Sequence, residues 1–85
     1  KKYLIFGAPW CVSCTKLKGL MAEEKLDHEV LYLNIDQTWA FLVSRKLGTQ
    51  DLPTMVVIDD PNPPRVILGM NEIIMHALIH INPQR

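Results

Sequence analysis

The 85 residues make one domain, near the lower size at which a chain folds without staples or metals. Nine basic and nine acidic residues are interspersed and cancel, which gives no support to a nucleic-acid partner or an acidic membrane surface. Apolar residues make up 48% of the chain, enough for a compact core, and no stretch reads as a transmembrane run or a signal peptide. The first residue is Lys1, not methionine, so residues upstream of it are an expectation.

In chain order, Lys1 to Gly7 reads as a short apolar strand, central in its sheet, and Gly7-Ala8-Pro9 breaks it. From Cys11 to about Glu24 the apolar positions Cys14, Leu17, Leu20 and Met21 recur at helical spacing, with Lys16, Lys18 and Glu23 facing out. Gly19 costs that helix about 1 kcal/mol relative to alanine, which predicts close packing there. Val30 to Ile35 reads as the second strand. Asp36 or Thr38 then caps a helix running to about Leu47, with Trp39, Leu42, Val43 and Leu47 on its buried face and Trp39 as a core or lid residue. Gly48-Thr49-Gln50-Asp51 ends it. Thr54 to Ile58 and Arg65 to Leu68 form a hairpin around the turn Asp59-Asp60-Pro61-Asn62-Pro63-Pro64. Gly69 and Asn71 open a last helix with Ile74, Ala77, Leu78 and Ile81 as its buried stripe, and Pro83 stops it. Repeats, linkers and low-complexity segments do not appear.

The two cysteines, Cys11 and Cys14, stand at C-x-x-C spacing where a strand gives way to a helix. A first helical turn has backbone N–H groups without partners, and the macrodipole adds positive potential. Both favour a thiolate at Cys11, the nucleophilic form, with a pKa below the ordinary thiol value of about 8.5. Cys14 follows one turn later and is expected to be mostly buried, while Cys11 is exposed. As a structural staple the bridge closes too short a loop to constrain the unfolded chain much. A zinc site would use His76 and His80 as the second half of C-x-x-C…H-x-x-x-H, but their separation from the cysteines is far longer than finger spacing. Two histidines four apart on an amphipathic helix read as a solvated face. The pattern therefore points to thiol–disulfide exchange with no metal, and with no export signal to a reducing, cytoplasmic compartment.

Trp10-Cys11-Val12-Ser13-Cys14 after a strand resembles the thioredoxin superfamily. Two later stretches extend the likeness. Leu33-Asn34-Ile35-Asp36-Gln37 is similar to the second core strand of bacterial thioredoxins and its exit, and Leu52-Pro53-Thr54 before Met55-Val56-Val57-Ile58 is similar to the cis-proline loop and the strand after it. The resemblance implies an α/β architecture, the minimal thioredoxin fold βαβαββα. Its four-stranded mixed sheet would be flanked by three helices, with the hairpin strands antiparallel to the first two. The N-terminal strand and helix of bacterial thioredoxins are not in this order, which brings the architecture close to glutaredoxins.

The resemblance also implies roles. Cys11 attacks a substrate disulfide and Cys14 resolves the mixed disulfide. Trp10 shields the site and adds apolar contact area, and Pro53 faces the cysteines so that the backbone of Leu52 can pair with an extended substrate. Val12-Ser13 replaces the Gly-Pro of thioredoxins and the Pro-Tyr of glutaredoxins. The acid–base pair of thioredoxins is missing, with Ile5 and Tyr32 in its places, and Asp51 is a substitute base or a solvated loop charge. Glutaredoxins bind glutathione through a Gly-Gly and an acid at the last helix. Here Leu68-Gly69-Met70-Asn71 keeps Gly69 alone, with Asn71 in place of the acid and able to cap the helix. The implied function is reduction of protein disulfides by a monomer that needs no cofactor, reduced by a thioredoxin-reductase-like flavoenzyme. The resemblance to compact family members, including those carried by bacteriophages, further implies ribonucleotide reductase as a client. The alternatives are a glutathione-dependent glutaredoxin, a binding module that keeps only the fold, and a zinc-binding structural domain.

Overall fold

Alternation along the first strand sets up both halves of the core. The computed structural model describes residues 1–48 and 51–81; the expectations for Thr49, Gln50 and Pro83 lie outside the described residues. Strand β1 (Lys2–Gly7) leads to α1 (Val12–Glu23), a 3₁₀ turn (Asp27–Glu29) and β2 (Val30–Asn34). Helix α2 (Thr38–Lys46), β3 (Thr54–Ile58), β4 (Arg65–Leu68) and α3 (Met70–His80) complete the order. The sheet runs β2-β1-β3-β4. Because side chains on a strand point alternately to opposite faces, Tyr3 and Ile5 join Met55 and Val57 on one face, against Leu17 and Met21 of α1 and Ile73 and Ala77 of α3. Phe6 and Val56 take the other face with Leu33 and with Ala40 of α2. Phe6 is fully buried; a core side chain of that size contributes about 1.5–3 kcal/mol by burial alone.

Strand β1 is parallel to β2 and antiparallel to β3, while β4 is antiparallel to β3. One expectation is corrected here: β3 runs against β1 and β2, but β4 runs with them. The registers Gly7↔Asn34, Phe6↔Thr54 and Thr54↔Leu68 bring the exit of β1, the exit of β2, the entry of β3 and the exit of β4 to one end of the sheet. The expected site residues sit on the loops at this end and on the first turn of α1.

Helix rotation departs from the sequence pattern. On α2 the buried residues are Ala40 and Ser44, whereas Trp39 is 54% and Leu42 60% exposed, and Val43 is exposed as well. The sheet face below already carries Phe6, Leu33 and Val56, so α2 approaches through its small residues and turns its larger ones outward. On α3 the stripe is Ile73, Ala77 and Ile81, with Ile74 half-buried and Leu78 50% exposed. Leu20 of α1 is also exposed.

Gly19 does not mark close packing, since a Cβ there would meet nothing within 4 Å. The glycine that α1 could use is missing six residues later. Lys25 has φ +58°, its N–H donates to Ala22 O (3.1 Å), and the N–H of Leu26 donates to Met21 O (2.8 Å). That is a Schellman ending, with the buried pair Leu26 and Met21 as its apolar contact. Caps also differ from expectation. Helix α2 has Gln37 as its N-cap, without a side-chain hydrogen bond, in place of Asp36 or Thr38; Asp36 lies one residue before it and accepts from Trp10. Helix α3 is capped by Gly69, not by Asn71. In the hairpin the Asp60–Pro61 peptide is cis and the N–H of Asn62 donates to Asp59 O (2.9 Å), a type VI turn.

Candidate active site

Cys11 is the N-cap of α1 (φ −92°, ψ 111°), and the helix begins at the next residue. Its carbonyl accepts the Thr15 N–H at 3.1 Å, and its sulfur accepts the Cys14 N–H at 3.2 Å. A sulfur thus fills the role that a serine or aspartate oxygen usually fills at this position. No acidic residue lies in the first turn to offset the positive end of the helix. Cys11 and Cys14 are joined as a disulfide with their Cα atoms 5.2 Å apart, inside the range that a bridge accepts without backbone movement. Cys11 is half-buried where exposure was expected, and Cys14 is half-buried where deeper burial was expected.

Cys11 opens on a groove of about 370 Å³ lined by Trp10, Ile35, Phe41 and Leu52, with Arg45 and Asp51 supplying its charges. Trp10 is 64% exposed, and its indole N–H donates to Asp36 Oδ1 at 3.2 Å. Asp36 is placed in turn by its own N–H, which donates to Asn34 Oδ1 (2.9 Å). The Leu52–Pro53 peptide is cis and Pro53 is buried. The Gly69 N–H donates to Pro53 O (3.3 Å), so the entry of β3 and the start of α3 are tied together. Gly69 has φ +91°, a conformation costly for any residue with a Cβ. Of the expected site residues, Trp10, Cys11 and Leu52 share the groove; Pro53 follows Leu52 in the chain, and Gly69 is bonded to the Pro53 carbonyl. Val12 and Ser13 are exposed on the first turn of α1 and line neither cavity.

Cys14 faces the other way, into a cavity of about 430 Å³ shared with Ile5, Gly7, Lys18, Tyr32 and Asn34. A Cβ on Gly7 would stand 3.2 Å from Cys14 Cβ and 3.3 Å from its sulfur, so this glycine is the space in which Cys14 sits. Burial, and then the Asp27 carboxylate, push the Tyr32 hydroxyl up to about 12. Asp51 lies in the Cys11 groove and not in this cavity, and its carbonyl accepts the Thr54 hydroxyl. As a base for Cys14 it is misplaced.

Among the described residues, no group of three or more His, Cys, Asp or Glu is placed to hold a metal ion. His76 packs its ring against Tyr3, with centroids 6.3 Å apart, and against His80 at 4.2 Å. Tyr3 is near the opposite end of β1 from the cysteine loop, so the zinc formula is not assembled, and His76 is half-buried instead of solvated. Nor is any described helix long and apolar enough to cross a membrane.

No family model matches the chain. The Thioredoxin-like protein CXXS1 of Oryza sativa subsp. japonica is 36% identical to it over 67 residues, which is 78% of this chain and 50% of that protein. The chain therefore spans about half the length of that relative. Among solved structures, one described as a malarial protein superposes with a TM-score of 0.64 at 22% identity, over 92% of this chain and 93% of its own. The germline-specific thioredoxin Deadhead of Drosophila melanogaster gives 0.61 at 18% identity, over 91% and 75%. The chain has the thioredoxin fold and is similar in sequence to a thioredoxin-like protein. Its minimal thioredoxin fold carries a cysteine pair that can exist as a disulfide or a dithiol.

Several site residues escape a reading by motif. Gly7 was legible only as a strand breaker, and its distance to Cys14 shows its use as space. Asp36 lies inside a quoted motif, but its partnership with Trp10 needs the Gly7↔Asn34 register. Arg45 and Phe41 enter the groove because α2 turns that edge toward Cys11, and Lys18 and Tyr32 meet only across the packed interface of α1 and β2.

Proposed function

We propose that the protein is a dithiol–disulfide oxidoreductase that reduces protein disulfides. The observation that carries this reading is the Cys11 sulfur, held as the cap of α1 by the Cys14 N–H at 3.2 Å and opening on an apolar groove. In the dithiol form, the Cys11 thiolate attacks one sulfur of a client disulfide. The client bond breaks, its other sulfur leaves as a thiolate and is protonated, and a mixed disulfide remains. Cys14 then attacks the Cys11 sulfur, the client's second sulfur leaves, and the Cys11–Cys14 disulfide forms. Two electrons have passed to the client. Trp10, Phe41, Ile35 and Leu52 supply apolar area for an extended client segment, and the backbone beside the cis-Pro53 offers it hydrogen bonds.

The donor in this reading is a thioredoxin-reductase-like flavoenzyme, and the clients are cytoplasmic protein disulfides, with ribonucleotide reductase among those the resemblance favours. The protein acts as a monomer without a bound cofactor. A second reading, a glutathione-dependent exchange, draws on Arg45, a guanidinium in the same groove that could pair with a peptide carboxylate.

The test is NADPH consumption by the oxidised protein in two coupled assays, one with a thioredoxin reductase and one with glutathione and glutathione reductase. Turnover in the first alone supports the proposal, and turnover in the second alone transfers it to glutathione. Failure in both, with Cys14→Ser trapping no mixed disulfide, sinks it.

A further inference from the structure

The two sulfurs look into different surroundings. Cys11 opens on the apolar groove, whereas Cys14 faces the cavity that holds Lys18 and Tyr32. Apart from Cys14 these two are the ionisable residues on its lining. No carboxylate lines it, and neither α3 nor β3 contributes to its wall. Just outside are the carboxylates of Asp27, which acts on Tyr32, and of Asp36, whose N–H donates to Asn34 of the lining; the Cys11 sulfur, neutral while it is disulfide-bonded, lies on the far side of Cys14. Lys18 follows Cys14 by four positions on α1, so their side chains share one face of the helix, with about 5–6 Å between Cβ atoms. The lysine has a seat as well: its ammonium lies 5.0 Å from the centroid of the Tyr32 ring, within the range of a cation–π contact. Tyr32 is itself fixed by the β-ladder opposite Ile5, and its hydroxyl is buried without a hydrogen-bond partner among the described residues.

Resting on the dithiol reading above, we propose that Lys18, seated on the Tyr32 ring, is the positive charge that stabilises the Cys14 thiolate while it resolves the mixed disulfide. The step balances without a further oxidant or reductant. Cys14 S–H yields its proton to water, and the sulfur electron pair attacks Sγ of Cys11. The bond from Cys11 to the client breaks, and the client sulfur departs with that pair and takes up a proton. Lys18 keeps its own proton throughout and acts only through its field, so it is a positioning residue. Tyr32 suits the seat because its face attracts a cation and burial keeps its O–H neutral, so no phenolate competes for the lysine.

The test reads Cys14 directly, in a Cys11→Ser background, by following the ¹³Cβ shift of labelled cysteine with pH. Lys18→Met should raise the Cys14 pKa by about half a pH unit or more, roughly threefold less thiolate at pH 7, for two unit charges near a partly wet surface. Lys18→Arg should restore the original titration, and 1 M salt should shrink the difference between Lys18 and Met. Tyr32→Phe keeps the ring and should leave the Cys14 titration in place. Tyr32→Leu removes the seat and should shift Cys14 as Lys18→Met does, without adding to it. A Lys18→Met titration that overlays the parent, or an Arg variant that fails to restore it, overturns the proposal. Lys18 is exposed on the helix surface, so its variants fold even if Tyr32→Leu does not. The NADPH assays decide the oxidoreductase reading separately, because this titration needs no turnover.

Discussion

Replacing Gly7 by alanine tests how the sheet accommodates the second cysteine. The new methyl group would lie 3.2 Å from Cys14 Cβ and 3.3 Å from its sulfur, both closer than ordinary van der Waals separation. The Cβ belongs to α1 and cannot rotate away, so its clash is common to the oxidised and reduced proteins. Overpacking of this kind costs about 1–3 kcal/mol, offset by roughly 0.5–1 kcal/mol because alanine loses less backbone entropy than glycine. A net loss of about 1 kcal/mol is expected in the reduced form. The sulfur clash differs between forms: a free thiol can take another rotamer, whereas a sulfur bonded to Cys11 cannot. The oxidised form should lose about 1 kcal/mol more, which raises the reduction potential by about 20 mV. Urea unfolding of both forms and equilibration against glutathione redox buffers measure the two quantities. An equal loss in both forms, or no loss in either, would refute the claim that Gly7 makes room for the Cys14 sulfur.

Two exchanges, one removing a glycine from α1 and one placing a glycine just after it, should each stabilise the protein. Gly19→Ala adds a methyl group to open space and should gain about 1 kcal/mol, a rise in Tm of about 4–8 °C for a domain of this size. Lys25→Gly relieves a φ of +58° and should gain up to about 1 kcal/mol; a lower Tm for either contradicts the reading of this helix. Asp36→Ala removes the acceptor of the Trp10 indole, and in a Trp39→Phe background the Trp10 emission should change. Stability should fall by no more than about 1 kcal/mol, since that bond is exposed; unaltered Trp10 fluorescence would show that the bond does not form. Burial, then the positive charges of His80, Arg65 and Lys1, hold His76 below its ordinary value of 6.5. The unfolded chain therefore takes up this proton first as pH falls, and stability present above about pH 6.5 is lost below it. His76→Gln should flatten the fall in urea midpoint between pH 7 and 5, and an unchanged slope would remove His76 as its source.

Much of the site was legible locally. Cys11 and Cys14 define their own spacing, Trp10 and Pro9 flank them, and Leu52-Pro53-Thr54 announces a loop before a strand. The strand alternation was equally plain, because two faces of β1 each needed one set of apolar residues: Tyr3 and Ile5 on one side, Leu4 and Phe6 on the other. Helix faces were less plain. Trp39, Leu42 and Val43 have perfect helical spacing and still face solvent, since Ala40 and Ser44 form a second stripe one position on. On a helix with apolar residues over most of its circumference, periodicity fixes the period and leaves the phase open.

What the chain's order of residues determined by itself is therefore what depends on neighbours in sequence. That includes the strand and helix periods, the turn at Asp59–Asn62, and a thiol placed at a helix start. What the tertiary structure decided is what depends on distance across elements. The antiparallel register of β1 and β3 sets Pro53 beside the cysteine loop. The β1–β2 register gives Trp10 its Asp36, and the packing of α1 over β2 brings Lys18 to Tyr32 behind Cys14. Hydrogen bonds and charges act over a few ångströms of space, and residues 14 to 26 positions apart in sequence come within that range only once the sheet has formed.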